Sequence, residues 1–131
     1  MKKILLIEDN PYDARLVGQI LKHHDCQFNH AKDASSGLEL AVRQNPDIIL
    51  LDMGLPDLDG QTVMALLQQM EELQDIPVVA VTAWPPDTAR EMAEAYGCAG
   101  YISKPIKARQ FYDQIAVYFS DDAVYFSDAE E

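Results

Sequence analysis

Cysteine is scarce: the chain of 131 residues has two, Cys26 and Cys98, and neither belongs to a Cys-x-x-Cys pattern. This excludes a thiolate metal cage and gives no disulfide framework, so both read as small buried thiols of a reducing compartment. Basic residues are also few, 10 Lys and Arg against 22 Asp and Glu, for a formal net charge of -12. Such a surface repels phosphate backbones and anionic headgroups, which argues against direct nucleic-acid binding. Long apolar runs are missing as well. Nothing approaches the roughly 18 apolar residues of a membrane span. Behind Lys2-Lys3, the run Ile4-Leu5-Leu6-Ile7 is cut by Glu8-Asp9 before it reaches the length of a signal-peptide core. The expected location is cytoplasmic, with no membrane partner.

What is present is a repeating alternation. With 48% hydrophobic residues, a chain of this length can bury one continuous core in one domain. Residues 3–7 read as a short strand that stops at Glu8-Asp9-Asn10-Pro11, acids and turn formers together. Pro11 suits a first helical turn, and Leu16, Val17, Ile20 and Leu21 continue at helical spacing to about His24. A weak strand over 27–31, a helix over 35–44 stopped by Asn45-Pro46, and an apolar strand over 47–51 follow. Four apolar residues in succession, Ile48 to Leu51, suit a strand buried on both faces, and Asp52 is expected to be the first residue outside it.

Beyond Gly60, the residues Val63, Leu66, Leu67 and Met70 describe an amphipathic helix, and 77–81 is a valine-rich strand ending at Thr82. Pro85-Pro86 is expected to stiffen a loop before a helix over 89–96. The last strand, 100–103, runs into Lys104-Pro105, and a final helix spans 108 to 118 or 119. Five such alternations predict an α/β fold, a doubly wound parallel sheet covered by helices on both faces. The carboxyl ends of its strands share the edge where such sheets place chemistry. That edge would gather Glu8, Asp9, Asp52, Thr82 and Lys104.

These residues resemble, in order and position, the receiver domains of two-component response regulators, which include the chemotaxis protein CheY. The match covers residues 1–119 and rests on Glu8-Asp9, Asp52, Leu55-Pro56-Asp57-Leu58-Asp59-Gly60, Thr82-Ala83 and Lys104-Pro105, each behind a strand. The resemblance implies five strands in the order 2-1-3-4-5 with five helices, a flavodoxin-like three-layer sandwich. It implies that Asp52 accepts a phosphoryl group from the phosphohistidine of a sensor histidine kinase or a phosphotransfer protein. Asp9, Asp52 and the backbone carbonyl of Gly54 would hold Mg2+, with Glu8 acting through a water, and the glycine would keep a side chain out of the way. A hard, oxygen-seeking cation also answers the repulsion among three crowded carboxylates. Lys104 would neutralise the phosphoryl oxygens, aimed by a cis peptide to Pro105, while the Thr82 hydroxyl donates to them and the small Ala83 leaves room.

Thr82 and Tyr101 would act as the switch. Taken singly, Lys104 reads equally as a surface lysine, Thr82 as a helix or turn cap and Tyr101 as half-buried packing. Trp84, two residues past Thr82, either shields the acyl phosphate from water or lies on the surface as a partner contact. His23, His24 and His30 read as solvated and away from the site. The chain would be a stand-alone regulator, catalysing only its own phosphotransfer and dephosphorylation. It would signal to a downstream target, or to a second copy in a homodimer, through the face of the fourth helix, fifth strand and fifth helix.

Three other readings compete. An aspartyl phosphatase normally carries a second acid two residues after the nucleophile, where this chain has Gly54. A flavin or nucleotide binder needs a phosphate-cradling loop after the first strand, where this chain has Glu8-Asp9-Asn10-Pro11. A phosphorylation-independent binding module of the same fold stays open, because intact site residues do not prove use. Residues 120–131 form an acidic tail in which Ala123 to Asp128 repeats Ala116 to Asp121. It reads as a frayed terminus or as a segment whose Tyr125 and Phe126 pack on this domain or a partner.

Overall fold

The apolar runs become the strands of a single sheet in the computed structural model, which describes residues 1–119. Strands β1 (Lys2–Ile7), β2 (Cys26–Ala31), β3 (Ile48–Asp52), β4 (Val78–Thr82) and β5 (Gly100–Ser103) are parallel, in the order β2-β1-β3-β4-β5. Between and after them run α1 (Pro11–Leu21), α2 (Ala34–Gln44), α3 (Gly60–Gln69), α4 (Pro86–Tyr96) and α5 (Ala108–Ala116). Alternate side chains of each strand feed opposite layers. Ile4, Leu6, Ile48, Leu50, Val79 and Val81 pack with α1 and α5 through Val17, Leu21, Phe111 and Ile115. Leu5, Ile7, Ile49, Leu51 and Ala80 pack with α2, α3 and α4 through Ala41, Val63, Leu67 and Ala93. Burying each such aliphatic side chain contributes about 1.5–3 kcal/mol, which is why all of β3 and β4 is apolar until its last residue.

Side-chain caps fix where three of the helices begin. Asn10 accepts the N–H groups of Tyr12 and Asp13, Asp33 that of Ser36, and Asp59 that of Thr62, each satisfying a first-turn donor that the helix leaves orphaned. Gly97, at φ 87°, closes α4 in the left-handed region. A β-carbon at Gly60 would run into the flexible end of the Met53 side chain, which would have to shift to admit it.

Several boundaries differ from expectation. Helix α1 ends at Leu21, and His24 in the following turn stacks on Tyr112 of α5 with ring centroids 3.6 Å apart, so it is packed against a ring and not merely solvated. Pro86 belongs to α4 and not to a stiff loop: at the first helical position its missing N–H costs nothing, and Ala89 N–H closes the turn on Pro85 O at 2.8 Å. Helix α5 ends at Ala116. Cys98 is buried, and burial pushes its thiol up to about 12, whereas Cys26 on the edge strand is only half-buried. Among the described residues no helix is long and apolar enough to cross a membrane. The acidic tail, with Tyr125 and Phe126, lies outside the described residues. Of the repeat's first copy, Phe119 meets Tyr112 edge-on at 6.2 Å.

Candidate functional site

The register of the sheet brings the strand ends level. Ile7 lies opposite Leu51, Asp52 opposite Val81, and Thr82 opposite Ser103, so the residues closing β1, β3, β4 and β5 share one edge. Three buried residues of the described chain are polar or charged, Glu8, Asp52 and Thr82, and all three stand there. Asp52 is not the first residue outside its strand, as expected, but the last one inside it, and it is only 6% exposed. The strand carries its carboxylate into the sheltered edge because Met53 continues the ladder, donating its N–H to Val81 O at 3.3 Å.

One oxygen each from Glu8, Asp9 and Asp52 lie within 4.8 Å of one another. Against them stands one ammonium. Lys104 Nζ is 2.9 Å from Glu8 Oε1, 3.3 Å from Asp13 Oδ2 and 3.6 Å from Asp52 Oδ1. Burial, then the neighbouring Asp52, push the Glu8 carboxyl up to about 7, with Lys104 opposing. Asp52 itself is held below the usual carboxylate range: its burial acts upward, but Glu8, the Gly54 amide, Asp9 and Lys104 together outweigh it. The Lys104 ammonium is raised although burial acts against it, because Glu8, Asp52 and Asp13 favour its charged form. Glu8 Oε1 is buried and lacks a well-directed hydrogen bond. An all-oxygen trio, one of its members pushed toward neutrality, is a donor set short of positive charge and of the kind Mg2+ prefers.

Backbone contacts hold the pieces. Gly54 N–H donates to Asp52 Oδ1 at 3.1 Å, and Asn10 N–H to Glu8 Oε2 at 3.1 Å. A β-carbon at Gly54 would meet Asp52 Oδ1 at 3.9 Å, an ordinary contact, so sterics do not demand glycine there. Trp84 N–H donates to Thr82 Oγ1 at 3.0 Å, which occupies the hydroxyl as an acceptor and leaves its proton for another partner. Thr82 is thus a turn cap that stands, buried, at the acidic edge. Lys104 N–H donates to Thr82 O at 2.7 Å, tying the two strand ends, and the Lys104–Pro105 peptide is cis. Ala83 and Trp84 lie exposed beside the site, the indole residue 37% so. Tyr101 is half-buried against the α2–α4 layer. It lines, with Pro86, Lys104, Pro105 and Lys107, a groove of about 410 Å³ on the α4–β5–α5 face.

Three contacts escaped the sequence reading. Asp13 reaches Lys104 from the first turn of α1, where an acid signals only a helix start. Asp57 crosses to the start of α2, accepting the Ala34 N–H at 2.9 Å and the Ser35 N–H and Oγ at 3.1 Å, so it anchors the loop behind Asp52. His30 is not remote: its Nε2 lies 2.7 Å from the Glu8 carbonyl oxygen.

A family model described as the response regulator receiver domain matches residues 4–116. The polar-differentiation response regulator DivK of Brucella ovis is 34% identical over 120 residues, which are 92% of this chain and 98% of DivK. The chemotaxis response regulator CheY4 of Vibrio cholerae has the same fold, with a TM-score of 0.84 at 19% identity, covering 90% of this chain and 98% of that one. The receiver domain of a sensor histidine kinase from Pseudomonas aeruginosa PAO1 superposes with a TM-score of 0.81 at 28% identity, over 90% of this chain and 97% of that one. That domain has a magnesium ion coordinated in its active-site cleft. Receiver domains are signalling modules that interact with histidine kinases and downstream targets. The fold, the acidic edge and the matched length agree, and the chain belongs to the response regulator receiver domain family of two-component signalling.

Proposed function

We propose that this chain accepts a phosphoryl group from the phosphohistidine of a sensor histidine kinase, or of a phosphotransfer protein, onto Asp52. The observation that carries the reading is the buried Asp52 carboxylate, beside Glu8 and Asp9 and 3.6 Å from the Lys104 ammonium. An Asp52 oxygen attacks phosphorus, the P–N bond to the donor imidazole breaks, and the nitrogen keeps the electron pair. Its low proton affinity keeps Asp52 ionised and nucleophilic at neutral pH. Asp9, Asp52 and the Gly54 carbonyl would hold Mg2+, with Glu8 acting through water, and the ion would supply neutralisation of the phosphoryl charge. Lys104 turns from the acids to the equatorial oxygens, and Thr82 donates its free hydroxyl proton, beside the small Ala83.

Thr82 in this reading moves toward the phosphoryl group and Tyr101 follows inward, shifting a two-state population. A downstream target protein, or a second copy in a homodimer, reads that change at the α4–β5–α5 face, a reading supported by the groove that Tyr101 lines there. The setting is cytoplasmic. Trp84 slows self-dephosphorylation by shielding the phosphoryl group; faster phosphate loss from Trp84→Ala than from the parent is expected, and equal or slower loss overturns that role.

The test of the whole reading is labelling by a small acyl-phosphate donor with Mg2+. The parent should label and Asp52→Asn should not. Persistent Mg2+-dependent labelling of the mutant would refute the assignment, and a parent that binds its partners but never labels would instead be a phosphorylation-independent module.

A further inference from the structure

Outside the trio of acids that share a metal-sized space, a fourth carboxylate reaches the same lysine. Asp13 occupies the first turn of α1, where its N–H donates to Asn10 Oδ1 at 3.3 Å and that of Tyr12 at 2.9 Å. The capped turn is therefore set, and the side chain places Oδ2 3.3 Å from Lys104 Nζ. Neither partner is freely solvated, the lysine side chain being 18% and the aspartate 24% exposed. Asp13 is not one of the three residues whose oxygens cluster within 4.8 Å.

We propose that Asp13 is a positioning residue for Lys104, holding the ammonium at the rim of the site so that a divalent cation can enter among Glu8, Asp9 and Asp52. The inference rests on the Mg2+ reading of that site. Lys104 lies 2.9 Å from Glu8 and 3.6 Å from Asp52, so it uses the same negative charge that an entering cation needs. Two cations in that space repel, and in a half-buried setting the repulsion is screened far less than in water. Asp13 gives the ammonium a partner that the metal does not need. Without Asp13 the lysine has Glu8 and Asp52 left and competes with the metal more strongly.

Asp13 also bears a negative charge of its own, which would favour a nearby dication even if no lysine were present. A double-mutant cycle separates the two effects. Mg2+ alone is titrated calorimetrically into the full chain, Asp13→Asn, Lys104→Ala and the double variant, with Lys104→Gln as a second background and circular dichroism to verify folding. Asp13→Asn should weaken Mg2+ binding by about five- to tenfold when Lys104 is present and by less than about twofold when it is absent. Asp13→Glu should restore most of the loss, and Lys104→Ala alone should tighten binding. Equal losses in both backgrounds, or no loss in either, would overturn the positioning role while leaving the metal reading intact. A parent chain that takes up no Mg2+ overturns both.

Discussion

The two ends of the same strands are built on opposite terms. At the amino-terminal rim, Asp47 accepts the Lys3 N–H at 2.7 Å and returns its own N–H to Lys3 O at 2.8 Å, and Lys3 Nζ donates to Gln44 O at 3.2 Å. That acid is paired with a backbone N–H donor and remains exposed to water. At the carboxyl end, Glu8 and Asp52 are buried with Asp9 beside them, and the Lys104 ammonium serves Glu8, Asp52 and Asp13 together. The first end is satisfied and only structural. The second is left short of positive charge, which weakens the isolated protein and, in the function proposed above, prepares the site for a cation and a phosphoryl group.

The apolar stretch between the two ends should dominate stability. Leu50→Ala empties a fully buried position on the α1–α5 side and should cost about 2–5 kcal/mol in denaturant unfolding. A smaller loss would mean that the sheet holds its charged edge with less help from the core than its burial indicates.

Next in size is the response to metal. Mg2+ at about a hundred times its dissociation constant should stabilise the chain by about 2.7 kcal/mol, read as a rise in melting temperature. The rise should be larger at pH 8 than at pH 5, because protons compete for Glu8. An equal rise at both would remove Glu8 from the metal's surroundings.

The metal-free chain should also lose stability as pH rises. Glu8 titrates at about 7 in the folded protein against an ordinary 4.5, so between those values the folded state binds more protons than the unfolded one. Stability from this group is complete below pH 4.5 and lost by the time pH passes 7, a fall on the order of 1 to 3 kcal/mol. Glu8→Gln should flatten the profile over that window, as chemical denaturation across pH would show. An unchanged slope would assign the titration elsewhere. The smallest effect belongs to the satisfied end: Asp47→Ala should cost about 1 kcal/mol and leave Mg2+ affinity unchanged. A shift in metal affinity would mean that the two ends communicate along the strands.

Much of this was legible in order. The apolar run Ile48 to Leu51 announced a strand buried on both faces, and the acids, Thr82 and Lys104 could be placed on one edge because parallel strands in this architecture end together. Boundaries were less legible where local signals pointed two ways. Pro85-Pro86 reads as a loop, yet a proline is also at home in the first helical turn, and packing of Ala89 and Ala93 decided for the helix. Asp13 and Asp57 were missed for a different reason. Each reads locally as an ordinary helix-start or loop acid, and their contacts with Lys104 and with Ala34 and Ser35 join segments distant in the chain.

By itself the sequence determined the alternation of strand and helix, the order of the elements and the identity of the residues closing each strand, because period and turn chemistry are local properties. Only the tertiary structure decided that Asp52 remains inside the sheet's edge, that Glu8 and not Asp9 is buried, and that Lys104 divides itself among three carboxylates. Those outcomes depend on distances between strand ends and on the exclusion of water between them, and both arise when the layers close over the sheet.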